Sequence, residues 1–415
     1  MNTGDDIIIK VGDETELLEA VTQSAAESLP IEVTGSGSRR QFGRPVDGGR
    51  RLDLSGLDGI TMYEPDELVL TAKAATPLAT ILQELDKHNQ ILAFDPVLGG
   101  DSLANAMGTI GGVLASNLSG SRRLTAGAAR DYLLGFKAVS GRAELFQSGS
   151  RVMKNVTGYD LSKLMAGSWG TLAIMHEVTI KTMPKPETSA SLLYACADAM
   201  EARSVIEVAF ASPHEPSAAA MIPASLAVYS SHQPFSDFAR TGMVAVIRLE
   251  GFETSVKARS DALYAMTEKT PVVTDHALSD ALQAEIRETR LMPRQNNRVI
   301  WKINCPPAEG GELLDKLIAR PNCRGYADWG GGLIWLSSPS GQQAGATAIR
   351  ALVSDYGGEA MLHEAPEGMR RTLPVFHPQP KPLEALTRRI KSSFDPLGSL
   401  CLLYTSPSPR DRNVS

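Results

Sequence analysis

Apolar positions three and four apart over residues 14–28 predict an amphipathic helix, and the β-prone run Ile31-Glu32-Val33-Thr34 behind it predicts a short strand. Leu68–Ala72 has the pattern of a further strand and residues 77–87 that of a helix. From Tyr132 to Ile180, short β-prone runs alternate with turns, the pattern of an α+β domain. Thr182–Glu187 carries two prolines in three residues, which resist both helix and central strand, and a domain boundary is expected there. Beyond it the order is strand SLLYACA, helix AMEARSVIEVAFAS, strand MVAVIRLEG and helix TSVKARSDALYAMTEK. A similar order recurs as strand VIWKINCP, helix GGELLDKLIAR, strands around GYADWG and LIWLSS, helix ATAIRALVSDYG and strand EAMLHEA. Two such β-α-β-type halves predict a ferredoxin-like sheet with helices on one face. A last amphipathic helix is expected from Lys381 on.

Two loops interrupt the first half. The strand at residues 31–34 runs into Gly35-Ser36-Gly37-Ser38-Arg39-Arg40, a small-residue cradle with two guanidinium groups at its exit. The run Gly99–Gly120, GGDSLANAMGTIGGVLASNLSG, packs six glycines and four small hydroxyl residues between structured regions. Glycine admits close backbone approach, and N–H groups at a helix start favour a negatively charged group. Thr109-Ile110-Gly111-Gly112 is read as a turn feeding a helix whose N-terminus faces a ligand, with a glycine-rich surface loop as the bland alternative. The first loop begins like G-x-G-x-x-G, but Arg40 stands at the third glycine and Gly43 and Pro45 oppose the helix that fingerprint needs. No G-x-x-x-x-G-K-[ST] occurs, so a Walker nucleotide site has no support.

Composition narrows the class. With 415 residues, 43% hydrophobic and 21% charged, the chain can bury a substantial core and divide into two or three domains. A net charge of −6 with no basic block argues against nucleic acid. No apolar run is long enough to span a bilayer, and the acidic N-terminus MNTGDDIIIKVGDE lacks signal-peptide character, so a cytoplasmic protein is expected. The four cysteines, at 196, 305, 323 and 401, form no C-x-x-C and neither build a disulfide framework nor ligate an iron–sulfur cluster. The seven histidines are scattered without H-x-x-H spacing, and no metal site is expected.

Ordered blocks carry a family resemblance: PIEVTGSGSRRQFGRP (30–45), LDLSGLDGITMYEPDELVLTAKAATPLATILQEL (52–85), LAFDPVLGGDSLANAMGTIGGVLASNLSGSRR (92–123), ARDYLLGFKAVSGRAE (129–144) and VMKNVTGYDLSKLMAGSWGTLAIMHEVTIKTMPKP (152–186). The chain resembles the FAD-binding PCMH-type (vanillyl-alcohol-oxidase-like) flavoproteins, and within them the glycolate oxidase FAD-binding subunits. The resemblance implies an α+β fold: a PCMH-type domain of two α+β subdomains at 1–183, then a ferredoxin-like cap or subunit-interface domain at 188–400. It implies that Gly35, Ser36, Gly37 and Ser38 meet the FAD pyrophosphate. It places Thr109, Gly111 and Gly112 beside the flavin and phosphates, with Ser116 and Asn117 in polar contact. Gly170 and Ile174 offer strand backbone, and Pro96 shapes the pocket edge. No histidine lies in either glycine loop, so FAD is expected to be non-covalent. Lys154 would lie near the flavin and offset charge on its reduced form, whereas Asp160 is read as the N-cap of LSKLMA with Tyr159 packed beneath it. Arg130-Asp131 reads as a structural ion pair.

The resemblance further implies oxidation of glycolate or a similar 2-hydroxy acid to its oxo acid by hydride transfer to flavin, with a second flavin subunit and an iron–sulfur subunit as partners. Through those partners the assembly would reach the inner face of the membrane. Related dehydrogenases carry a histidine cluster in the cap domain. This chain departs from it, since His363 is isolated and the arginines from Arg287 to Arg298 read as a solvated helix face, so no catalytic residue is assigned. A self-sufficient 2-hydroxy-acid or alcohol oxidoreductase and a flavin-free scaffold subunit stand as alternatives. The tail 401–415 has no helix or strand periodicity and resembles translated sequencing-adapter read-through, with a natural disordered extension as the alternative.

Overall fold

The computed structural model describes residues 7–40, 42–45, 49–98, 108–149, 159–240, 242–293 and 297–400. They fall into two compact units. One comprises the chain up to Ser119, Ala128–Pro184 and everything from Pro374 on; the other comprises Gly120–Gly127 and Lys185–Leu373.

The first unit holds two principal sheets. Strands β1 (Ile7–Lys10), β2 (Ile31–Thr34) and β3 (Arg50–Asp53) form a parallel sheet in the order β1-β3-β2. Parallel neighbours need a crossover, and helix α1 (Glu14–Glu27) supplies it between β1 and β2. Asp13 caps α1 by accepting from the Glu16 N–H at 2.9 Å. Strands β4 (Ile60–Glu64), β5 (Val69–Lys73), β7 (Leu133–Ser140), β8 (Leu145–Gly149) and β9 (Ala173–Lys181) form an antiparallel sheet in the order β4-β5-β9-β7-β8. Two two-residue strands, β6 (Gln90–Ile91) and β10 (Met183–Pro184), pair with each other. The segment expected as a linker is therefore in part a strand, because Pro184 occupies an edge where its missing N–H costs nothing. One core joins the sheets: Leu17, Val21, Ile31, Leu52, Val139 and Ile174 pack together.

The chain's last described residues belong to that core. Leu400 is fully buried in it, and Ile31 donates to the Ser399 carbonyl at 2.7 Å. Buried Asp395 organises this end, accepting from Ser399 N at 3.0 Å and Leu400 N at 2.9 Å and pairing with Lys391. Lys391 lies on the helix Lys381–Phe394, and the tail from Cys401 lies outside the described residues.

The second unit is built on one eight-stranded antiparallel sheet. Its strands are β11 (Thr188–Cys196), β12 (Ala218–Pro223), β13 (Met243–Gly251), β14 (Val272–Val273), β15 (Arg298–Asn304), β16 (Arg324–Asp328), β17 (Leu333–Pro339) and β18 (Glu359–Glu364). The order is β14-β11-β13-β12-β16-β17-β15-β18. Each half is a βαββαβ unit, and the two meet where Met221 of β12 faces Ala327 of β16. Helices Ala199–Ala211 and Glu253–Thr267 belong to the first half, Gly310–Ile318 and Ala346–Asp355 to the second. The expectation of helices on one face alone does not hold. The helix His276–Arg287 covers part of the other face, its Leu282 and Ile286 packing with Leu193, Val246 and Ile300. Ser279 on that helix meets Ser191 of β11 at 2.8 Å.

Candidate functional site

The first glycine loop leaves β2 with its backbone donors unspent. Among the described residues, no acceptor meets the N–H groups of Ser36, Gly37 or Ser38. Gly37 has φ +71°, a left-handed conformation that turns the chain over these donors. Ser36 and Ser38 hydroxyls lie 3.3 Å apart, and Arg40 at the loop exit is held by Glu32 at 2.8 Å. Arg51 reaches the same carboxylate at 3.2 Å. Burial alone would raise the Glu32 pKa, but these two guanidinium groups outweigh it and hold the carboxyl below its usual range.

The second loop meets the first. A Cβ on Gly35 would stand 2.9 Å from Thr109 Oγ1, and one on Gly108 would stand 3.2 Å from Ser38 Oγ and 3.1 Å from an Arg39 guanidinium nitrogen. Arg39 is fixed in turn by donating to the Val97 carbonyl at 2.7 Å. Thr109 caps α3 (Ile110–Ser116), its hydroxyl accepting from Gly112 N at 3.2 Å.

Here the sequence expectation needs correcting. The N–H groups at the start of α3 are not offered to a ligand: Ile110 donates to Thr76 O at 3.1 Å and Gly111 to Ala74 O at 2.8 Å. Thr109 and Gly112 line the cradle by close approach, while the open donors belong to Ser36–Ser38. Ala74 and Thr76 follow β5, far from α3 in sequence, and no local signal marks them as its acceptors.

The other candidates divide in the same way. Ser116 donates to Gly112 O at 2.8 Å and is tied into its own helix. Asn117 ends α3 in a left-handed conformation, φ +49°, and its side-chain oxygen accepts from Arg130 N at 3.0 Å. Pro96 forms an antiparallel bridge with Ser119. The turn containing Gly170 caps the end of α3, since Gly167 donates to Leu114 O at 3.1 Å and Trp169 to Ala115 O at 2.8 Å. Gly170 itself faces open space. Ile174 is different: its side chain lies in the core, and its backbone runs in register with Val139 of β7, beyond the last β5–β9 pair Lys73↔Glu177.

Sequence analysis missed Trp169, which has left-handed backbone with φ +56° and stands edge-on to both Phe42 and Phe376 with ring centroids 6.4 Å away. Asp160 does cap the helix Leu161–Met165, accepting from Lys163 N at 3.3 Å, but Tyr159 is 92% exposed and packs beneath nothing. Asp131 accepts from Ala128 N at 2.8 Å and pairs with Lys163 at 3.4 Å, so its ion-pair partner is Lys163 and not the expected Arg130. Lys154 and residues 99–107 lie outside the described residues.

No group of three or more His, Cys, Asp or Glu side chains suited to a metal ion occurs among the described residues. Burial pushes the Cys196 and Cys305 thiols up to about 11, so neither is a ready nucleophile. Arg298 serves structure, donating to Ser337 Oγ at 2.6 Å and Asn322 O at 2.8 Å, and His363 packs on Trp335 with centroids 4.8 Å apart.

Three open N–H groups, two hydroxyls and a neighbouring arginine suit a phosphate-bearing ligand that lies along bare backbone. Comparison with known proteins agrees. A family model described as an FAD binding domain matches residues 6–149. The chain is 32% identical over 386 residues to the glycolate oxidase subunit GlcE of Escherichia coli, covering 92% of this chain and 94% of that one. It is 30% identical over 189 residues to the glycolate oxidase subunit GlcD of Bacillus subtilis, covering 45% of this chain and 39% of that one. Among solved structures, an alkyldihydroxyacetonephosphate synthase shares the fold with a TM-score of 0.67 at 14% identity, covering 94% of this chain and 75% of that one. FAD is the cofactor, and the chemistry is FAD-dependent oxidation at a CH–OH group. The chain belongs to the PCMH-type FAD-binding flavoproteins, in the family of the glycolate oxidase subunit GlcE.

Proposed function

We propose that the chain is the FAD-binding subunit of a heteromeric glycolate-oxidising complex that converts glycolate to glyoxylate. The observation that carries this is the open donor set Ser36–Ser38 closed on one side by Thr109, next to the match with GlcE along nearly the whole chain. In this reading the N–H groups of Ser36, Gly37 and Ser38 hold the pyrophosphate and Gly35 lets Thr109 close against the loop. Gly111 and Gly112 keep the neighbouring wall bare, and the backbone at Gly170 and Ile174 borders the ring system with Pro96 at the pocket edge. Ser116 and Asn117 brace α3 rather than reach the cofactor. Bound FAD would supply the two-electron acceptor for the hydride from the hydroxylated carbon, while the hydroxyl proton leaves to a base. FAD is held without a covalent bond, the flavin-binding part comprises residues 1–183 and the cap 188–400, and the protein works in the cytoplasm. A second flavin subunit and an iron–sulfur subunit carry electrons onward. No described helix is long and apolar enough to cross a membrane, so membrane proximity would come through those partners.

The test is a visible absorbance spectrum of the purified chain before and after anaerobic addition of glycolate. Flavin bands that bleach assign a competent site to this chain. Bands that persist until a partner subunit is added place substrate oxidation in the partner and leave FAD binding here. A colourless chain that FAD cannot reconstitute overturns the reading in favour of a scaffold subunit.

A further inference from the structure

Strand β9 spends one residue more than its partner. Against β7 the register runs Lys137↔Glu177 and then Ala138↔Met175, so His176 is the extra residue of a β-bulge. A bulge re-aims a side chain, and here it turns an imidazole into the interior of the first unit: His176 is 1% exposed, and neither ring nitrogen has a hydrogen-bond partner. A buried polar group left unpaired is unfavourable, and an apolar side chain of similar size would avoid the cost. The fold keeps this one beside charge instead. Nε2 lies 3.3 Å from Glu14 on the first turn of α1, whereas Glu177, its neighbour on β9, is held by Lys73 of β5 at 3.1 Å and by Lys137 of β7 at 2.8 Å. Burial holds the His176 pKa below the ordinary 6.5; Glu14 and Glu177 pull it up, and Lys73 and Lys137 push it down.

The backbone of the same residue is joined to the cofactor cradle by two hydrogen bonds. The His176 carbonyl accepts from Ala74 N at 2.9 Å, and the Ala74 carbonyl accepts from Gly111 N at 2.8 Å. Gly111 presses so closely on Ala74 that a Cβ there would stand 2.7 Å from its carbonyl oxygen. One residue on, Gly112 N is given to Thr109 Oγ1, against which Gly35 closes. A neutral imidazole sits in this bulge without water, whereas an imidazolium has two N–H donors and one carboxylate, Glu14, that no lysine holds. Taking up the proton therefore calls for water at the ring, which means opening the bulge that carries Ala74 and, through it, the start of α3.

We propose that His176 is a proton-operated latch on the cofactor cradle: the neutral imidazole keeps the bulge closed and α3 seated on Ala74, and its protonation opens the bulge and releases FAD. That FAD lies along this wall rests on the function proposed above; the coupling between His176 and α3 does not. The sign follows from linkage. The closed form holds the proton less readily than the open one, so FAD binding is at full strength above pH 6.5 and weakens as pH falls from there through the pKa of the closed form.

The test is the FAD dissociation constant of the full-length chain, read by flavin fluorescence from about pH 8 to about pH 5, with hydrogen exchange at Gly111 N followed beside it and corrected for the intrinsic rate. Wild type, His176→Gln and Glu14→Gln are compared where far-UV circular dichroism is native. In the wild type the constant is expected to rise about tenfold on acidification, the change that one proton allows over one pH unit, with Gly111 losing protection in step. His176→Gln stays flat within about twofold, since no proton is taken up there. Glu14→Gln rises further than the wild type, because without that carboxylate the closed form holds the proton still less. An equal rise in wild type and His176→Gln overturns the proposal, and so do an unchanged constant with unchanged protection and an acid loss that coincides with global unfolding. If His176→Gln does not fold, a Glu14→Gln profile identical to the wild type overturns it. Acid loss of Gly111 protection in the wild type alone, at constant FAD affinity, sustains the coupling to α3 and overturns the placement of FAD along that wall.

Discussion

At Gly35 a single methyl group decides whether two loops can close. Its Cβ would press on Thr109 Oγ1 at 2.9 Å, and valine there would push Thr109 off its cap on α3. Gly35→Val is expected to cost about 1–3 kcal/mol by overpacking and to cut the flavin-to-protein absorbance ratio by more than the loss of stability explains, a comparison made by measuring Tm and absorbance on one preparation. His176 gives a second residue-scale expectation. It is buried in the first unit with Glu14 3.3 Å away, and neither ring nitrogen has a hydrogen-bond partner. Burial lowers its pKa below the ordinary 6.5, against the pull of Glu14 and Glu177 and with the push of Lys73 and Lys137. The unfolded chain therefore binds the proton more readily. Stability from this group is complete above pH 6.5 and is lost as pH falls from there through the folded pKa. Urea midpoints measured from pH 8 to pH 5 should decline in wild type and decline less in His176→Gln.

At the scale of elements, the end of the chain works as a clasp on the parallel sheet. Asp395 gathers two backbone N–H groups, the Ser399 hydroxyl and the Lys391 ammonium, while Leu400 fills the core beside Ile31. Removing the carboxylate leaves Lys391 and two buried donors without it, so Asp395→Ala should destabilise the protein by about 3 kcal/mol in denaturant unfolding. The variant should also loosen β2, which leads directly into the loop Gly35–Arg40. Hydrogen exchange at Ile31 reports this, since its N–H is given to Ser399. The helix His276–Arg287 teaches a related lesson. Its sequence, HALSDALQAEIR, has the right period, but which face of the sheet it covers depends on Ser189, Ser191 and Leu193 lying opposite it, and these stand more than eighty residues earlier.

At the scale of the whole molecule, each compact unit collects segments distant in sequence. The first draws in the chain from Pro374 on, and the second draws in Gly120–Gly127, which begins at the last residue of the glycine-rich run. The segment that supplies Arg123 thus lies in sequence among flavin-binding blocks but in space beside Trp329. Because no described histidine lies in the cradle, acid precipitation of the flavin-loaded protein should release all its yellow chromophore to the supernatant. Chromophore that stays in the pellet would mean a covalent link.

Local chemistry was sufficient for the family, the α+β class and most elements. Glycine spacing, helix period and capping residues such as Asp13 and Asp160 act within a few residues of themselves, and such signals survive in a linear reading. Hydrogen-bond acceptors and charge partners do not. That Ala74 and Thr76 consume the donors of α3, leaving Ser36–Ser38 as the open set, follows only when β5 is brought beside α3. That His176 is buried beside Glu14, with Lys73 and Lys137 acting on it, follows only when α1, β5 and β7 close on β9. Donors, acceptors and charges are satisfied or left open by whatever folding places within a few ångströms, and sequence separation carries no record of that distance.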